Sequence, residues 1–219
     1  MHQDTATDKA YELITHKILF LELAPGSVIN EAELMEELQF GRSPIRHALH
    51  RLEQENLVVI LPRQGTLVSQ ISLDDFQEVF ELRMDLEGLA AYLAAKRAKP
   101  EHLEALDSLL QDAERYVQEG NDKIDIEIDG KFHQIIAEAA ANKYLKKTLN
   151  ELFHHSIRLF NFSRTRSASI KEEMPDYQAV FECFENKDAS GARAWMQEHI
   201  RASMERVGAS FSLRPVWEQ

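Results

Sequence analysis

Residues 40–65, FGRSPIRHALHRLEQENLVVILPRQG, change hydrophobic period within one stretch, and that change constrains the fold more than any other feature of the chain. Ile45, Ala48, Leu49 and Leu52 recur at helical spacing. The segments LVVIL and TLVSQI that follow are β-branched runs bracketing the turn PRQG, which reads as a hairpin. Upstream, NEAELMEELQ offers Asn30 as a helix N-cap, glutamates in the first turn where they complement the helix dipole, and Leu34 and Leu38 on one face. A break at Gln39-Phe40-Gly41 separates this short helix from the next. Before it, ATDKAYELITHKILFLEL carries Ala10, Leu13, Ile14, Ile18 and Leu21 at helical spacing until LAPG stops it. Helix, tight turn, helix and hairpin together predict a winged helix-turn-helix over residues 1–71.

After SQISLDD the strand signals end. The segments KPEH, EGND, AANK, RSAS and NKDAS divide the remaining chain into six helices of roughly 18 to 26 residues, with Ser72 and Ser169 as caps and Pro100 and Gly120 as breaks. No repeat period is present, so the expectation for residues 72–212 is an antiparallel bundle rather than a solenoid, followed by a tail at 213–219. The fold class expected is mainly α. No apolar run approaches the roughly 20 residues of a membrane span. MHQDTATDKAYEL lacks a basic segment followed by an apolar one, so a cytoplasmic protein without membrane contact is expected. The single cysteine, Cys183, cannot form an internal disulfide and reads as a core residue.

The formal net charge of −12 argues against general affinity for polyanions, which makes a local basic patch more informative. Residues 40–65 contain four arginines, two histidines and two glutamates. Arg42, Arg46 and His50 lie four apart, opposite Ile45, Leu49 and Leu52, and so share one outward stripe. Arg42 and Arg46, near the helix N-terminus, suit bidentate contact with guanine in a major groove. Ser43 and the backbone N–H groups of that first turn suit a phosphate, and Arg63, Gln64 and Gly65 form a hairpin tip able to approach a neighbouring groove.

In the helical region, polar groups on apolar stripes stand out. Arg83 shares a stripe with Phe76, Phe80, Leu86, Ala90 and Leu93, and a buried guanidinium needs either a carboxylate such as Glu87 or an anionic ligand. In EIDGKFHQIIAEAA, Asp129 and His133 are four apart and flanked by Phe132 and Ile136. Such a pair can grip a divalent metal or hydrogen-bond internally. His199 sits among Ala192, Trp195, Met196 and Ser203 on another stripe expected to face inward.

The stretch LAPGSVINEAELMEELQFGRSPIRHALHRLEQENLVVILPRQGTLV resembles the DNA-binding domain of the GntR family of bacterial transcription regulators. The resemblance implies DNA contacts by Arg42, Ser43, Arg46, Gln64 and Gly65. Three positions depart from the family pattern: Gly41 replaces the serine that caps the recognition helix, His47 replaces a glutamate, and Asn56 stands where glycine ends that helix. ELRMDLEGLAAYLAA, DGKFHQIIAEAAANKYL and VFECFENKDASGARAWMQEHI resemble the FCD effector domain of the FadR subfamily, in its short, VanR-like, six-helix form. In relatives, an aspartate and three histidines hold a metal such as zinc or nickel, to which a small carboxylate adds. Asp129, His133 and His199 match three of those positions, and Tyr177 stands at the fourth. A phenol is a poorer ligand than imidazole near neutral pH. Two arrangements therefore stay open: a three-ligand metal site, or a metal-free cavity where Arg83, Asp129, His133, Tyr177 and His199 bind an effector. His154 and His155 read as solvated or core residues.

The expectation is a DNA-binding regulator, most simply a repressor, that reads a palindromic operator as a homodimer and responds to a carboxylate effector. An effector-independent DNA-binding dimer is the second reading. A di-metal helical oxidase is disfavoured: it would want two Glu-x-x-His motifs, and the sequence offers Glu151-x-x-His154 alone.

Overall fold

The computed structural model describes residues 5–119, 125–163 and 170–212, and for 125–126, 170–172 and 209–212 their main chain only. The Gly120 break, the Ser169 cap and the tail at 213–219 lie outside the described residues. The chain groups into two units, Met1–Ser72 with Ile157–Phe162, and Leu73–Ser156 with Ser163–Gln219.

The first unit begins with α1, Ala6–Leu19, opened by a reciprocal capping box between Thr5 and Asp8. Next come β1, Val28–Ile29; α2, Glu31–Leu38; α3, Arg42–Gln54; β2, Val58–Leu61; and β3, Gly65–Val68. Asn30 caps α2, its Oδ1 accepting from the N–H groups of Ala32 and Glu33 at 3.0 and 3.4 Å. The turn between α2 and α3 depends on Gln39 in the left-handed conformation, with φ 57°. Asn56 leaves α3 in the same way, with φ 58°.

All three strands are antiparallel, in the order β1-β3-β2, with Val59 opposite Leu67 and Val28 opposite Leu67 from the other side. β1 was not legible in the sequence, because two residues carry no period. It gives β3 a partner on each edge. Ala10, Tyr11, Ile14 and Ile18 of α1 pack with Ile45, Ala48, Leu49 and Leu52 of α3, Leu34 of α2 and Val58 and Val68 of the sheet. Leu13, expected on the inner face of α1, is 46% exposed, and the Tyr11 ring takes the core position instead. Burying these side chains stabilises the unit by about 1.5–3 kcal/mol for each large aliphatic group.

The remaining elements are all helical: α4, Leu73–Arg97; α5, Pro100–Gln118; α6, Asp125–Ala139; α7, Lys143–Ser163, whose residues 157–162 group with the first unit; α8, Ile170–Glu185; and α9, Ala189–Ser212. The break expected at Pro100 falls between α4 and α5, and Pro100 itself opens α5, a position where its missing N–H costs nothing. α6 and α8 have 15 and 16 residues, shorter than expected. α4 packs closely on α9, where a Cβ at Gly88 would stand 2.9 Å from the side chain of Gln197. Two readings need correction. Trp195 is 44% exposed rather than inward, and Cys183 is half-buried rather than a core residue. Among the described residues no helix is long and apolar enough to cross a membrane.

Candidate nucleic-acid interface and buried charge cluster

On α3 the apolar stripe Ile45, Ala48, Leu49 and Leu52 is fully buried, and this fixes the rotation of the helix. Arg42, Ser43, Arg46, His47 and His50 consequently face solvent. Gly41 occupies the N-cap position with extended backbone and no side-chain hydrogen bond, so the first-turn N–H groups lack a side-chain cap. Arg42 has no ion-pair partner among the described residues. Arg46 donates its Nε–H to Glu31 Oε2 at 3.0 Å, and His50 Nδ1 lies 3.4 Å from Glu53 Oε2. At the hairpin tip Arg63, Gln64 and Gly65 are all exposed, with φ 65° at Arg63 and 105° at Gly65. The left-handed φ at Gly65 suits a residue without Cβ, and the space beside it is open.

In the second unit the sequence candidates converge. α4 supplies Arg83 and Glu87, α6 Asp129 and His133, α8 Tyr177 and α9 His199. Among the described residues, the donor atoms that lie within 4.8 Å of one another are those of Asp129, His133 and His199. Asp129 Oδ1 is the centre: His133 Nε2 is 3.2 Å away, His199 Nε2 3.5 Å and the Tyr177 hydroxyl 2.9 Å. The opposite nitrogen of each imidazole faces a different carboxylate. His133 Nδ1 pairs with Glu87, and His199 Nδ1 is 3.4 Å from Asp176. His133 makes these contacts as ion pairs without hydrogen-bond alignment. Glu87 also accepts from Arg83 Nε at 2.5 Å, while Arg83 Nη1, fully buried, has no hydrogen-bond partner among the described residues.

Opposite charges alternate through this cluster, and the ionisation of its members follows from that. Burial alone would raise the Glu87 carboxyl, but the Arg83 and His133 charges hold it down at about 2. Burial alone would lower His133, but Glu87 and Asp129 raise it to about 9. Asp129 is held well below the usual carboxylate range against its burial, chiefly by His133. His199 is likewise raised against burial, by its contacts with Asp129 and Asp176. Tyr177 is pushed well above the ordinary phenol by burial and two carboxylates, so it stays neutral.

The sequence reading did not name Glu173 or Asp176. Glu173 Oε2 lies 2.7 Å from the Tyr177 hydroxyl, and Arg206 donates to its other oxygen at 2.9 Å. Burial and the Asp129 charge raise its carboxyl to about 7. Its spacing of four residues from Tyr177 was a usable signal. Asp176 had none, because it meets His199 only across two helices. His154 and His155 are half-buried on α7 and lie outside the three-donor group. Gly130 allows α7 close to α6: a Cβ there would stand 3.0 Å from the Phe153 ring, which lies beside His133 with centroids 6.1 Å apart.

The donor set fits a divalent metal. Bonds of about 2.0–2.1 Å in a tetrahedral shell put donors on the order of 3.3 Å apart, close to the separations around Asp129 Oδ1. Both Nε2 atoms lie within 3.5 Å of Asp129 Oδ1 while both Nδ1 atoms lie beside other carboxylates, the outer-shell pattern that orients metal-binding histidines.

A winged helix-turn-helix with an exposed basic helix, joined to a helical bundle with a buried polar cluster, defines the class of transcriptional regulators with a separate helical domain. Residues 6–68 match the gntR family of bacterial regulatory proteins, and residues 78–202 match the FCD domain. The chain belongs to the GntR family, in its FadR-like subfamily with an FCD domain. It is 28% identical over 187 residues to the HTH-type transcriptional regulator YdhC of Bacillus subtilis, covering 84% of this chain and 82% of that one. It is 30% identical over 185 residues to the Nta operon transcriptional regulator of Aminobacter aminovorans, covering 84% and 85%. The solved structure of McbR/YncC from Escherichia coli has the same fold, with a TM-score of 0.83 at 20% identity over 95% of this chain and all of that one.

Proposed function

We propose that this transcriptional regulator is a cytoplasmic repressor whose operator binding is controlled by a small carboxylate effector in the helical domain. Residues 1–71 bind duplex DNA, and residues 72–212 bind the effector and pair two copies on a palindromic operator. Arg42 and Arg46 contact base edges, Ser43 and the α3 first turn contact a phosphate, and His50, Arg63, Gln64 and Gly65 complete the DNA surface. The exposed cationic stripe opposite the buried face of α3 supports this, because only that face is free to enter a groove. Replacing Arg42 or Arg46 by alanine should cost about 1–3 kcal/mol in specific binding, read by fluorescence anisotropy on a duplex selected from a random pool. Unchanged discrimination in both variants would remove the assignment.

Asp129, His133 and His199 would hold zinc or nickel, and Tyr177 remains a hydrogen-bonding neighbour rather than a ligand. Bound there, the ion would supply a Lewis-acidic point of attachment for an effector carboxylate. Arg83 supports effector binding independently of metal. It is 1% exposed, and its Nη1 is a charged donor without an acceptor among the described residues, a costly condition that an anionic ligand relieves. This observation favours effector control over an effector-independent dimer. Because operator and effector act on one protein, each must change the affinity for the other. Thermal-shift screening of small carboxylates with and without nickel, repeated on Arg83→Ala, tests the site. A stabilising acid whose effect survives Arg83→Ala refutes that role.

A further inference from the structure

The geometry points to Glu31 as a positioning residue that sets the base specificity of Arg46; this rests on the reading of α3 as the helix that enters the groove. Glu31 is the first residue of α2, and the cap of that helix does not use it. Asn30 caps the helix through its own Oδ1, and Asn30 Nδ2 donates to Glu33 at 2.8 Å. The Glu31 carboxylate turns instead to Arg46, fifteen residues on, and accepts its Nε–H at 3.0 Å. Both side chains remain accessible, at 56% for Arg46 and 30% for Glu31, so the pair lies on the surface that carries Arg42, Ser43 and His50.

An exposed pair of this kind contributes little to folding. Its effect is on geometry. A guanidinium has five N–H donors in a rigid plane, and it can meet two acceptors either side-on, through Nε and one Nη, or end-on, through both Nη groups. With Nε engaged by Glu31, only the end-on fork is left, which suits the O6 and N7 acceptors of guanine. Arg42 is exposed and has no ion-pair partner among the described residues, so no carboxylate engages its Nε. The carboxylate also repels phosphate, so in this position it opposes binding to arbitrary DNA while improving the fit of one contact.

These two effects of Glu31 have opposite signs, and that makes them measurable. The probe is a duplex selected by the wild-type protein from a randomised pool, with its single-base-pair variants and an unrelated duplex, all at one salt concentration. Glu31→Ala should weaken the selected duplex about tenfold at the base pair that Arg46→Ala also stops reading. It should bind the unrelated duplex as tightly as wild type or more tightly. Combining it with Arg46→Ala should add no further loss. Glu31→Gln, which keeps an acceptor oxygen but no charge, should restore much of the discrimination while keeping the gain on unrelated DNA. Circular dichroism and thermal unfolding establish that each variant is folded.

If Arg46→Ala loses discrimination and Glu31→Ala does not, or if the two losses add, the positioning role is wrong while α3 stays the reading helix. If Arg46→Ala itself leaves discrimination unchanged, Arg46 reads no base and the role of Glu31 falls with it; if Arg42→Ala leaves it unchanged as well, the reading of α3 fails too.

Discussion

Raising the pH should strengthen metal binding at Asp129, His133 and His199 far more steeply than at an ordinary histidine site. A metal takes the Nε2 lone pair of His133, so it must first displace the proton that Glu87 and Asp129 hold there up to about 9. At about pH 7 that displacement spans two units, about 2.7 kcal/mol or a hundredfold in affinity, whereas an unperturbed imidazole near 6.5 would lose less than about twofold. His199, also raised, adds to the slope in the same direction. Competition for nickel against a chromophoric chelator, in a non-coordinating buffer at about pH 7, 8 and 9, reads the effect. The expected rise in affinity over that range is about fiftyfold from His133 alone, with His199 adding to it. A change below about threefold, or no binding at about pH 9, would refute the alternating-charge account of the cluster.

Without metal the stability should run the other way. His133 contributes most when charged, so its contribution is full below about 6.5 and is lost as pH rises through about 9. Glu173, with its carboxyl raised to about 7, acts in the same sense, because ionising it while buried costs stability. The contribution of Glu87 is present above about 4.5 and is lost only as pH falls towards about 2. Metal-free protein should therefore melt at progressively lower temperature from about pH 6.5 to 9.

Three substitutions probe other parts of the structure. Tyr177→His should raise nickel affinity at least about tenfold by supplying a third imidazole as the fourth ligand, measured by the same chelator competition; no gain would place position 177 outside reach of the metal. Gly130→Ala puts a methyl group 3.0 Å from the Phe153 ring and should cost about 1–3 kcal/mol in denaturant unfolding. Gln39→Gly should stabilise the protein by up to about 1 kcal/mol, because it removes the left-handed strain at φ 57°, unless loss of the Gln39 side-chain bond to Glu36 outweighs it. A thermal-unfolding midpoint well below wild type would mark that bond as dominant.

The sequence read the first unit well because its signals are local. Asn30 as a cap, the left-handed Asn56, and the buried stripe of Ile45, Ala48, Leu49 and Leu52 each depend on a few neighbouring residues. Spacing alone correctly brought Arg83 to Glu87 and Asp129 to His133, because helical neighbours four apart must lie on one face. Spacing failed for Leu13 and Trp195, where periodicity identifies a stripe but not how wide a strip of it the next helix covers.

What the amino-acid sequence determined by itself was therefore the class of every element but β1, the outward basic stripe on α3, and the identity of three possible metal ligands. Tertiary structure alone decided the rest. It gave Glu31 to Arg46, Asp176 to His199 and Glu173 to the Tyr177–Arg206 pair, and it brought two imidazoles beside one oxygen of Asp129. The physical reason is that these ionisation states and orientations arise from charges on different helices. Their strength depends on separations of a few ångströms in a medium from which water is excluded, and no spacing along a single chain encodes those separations.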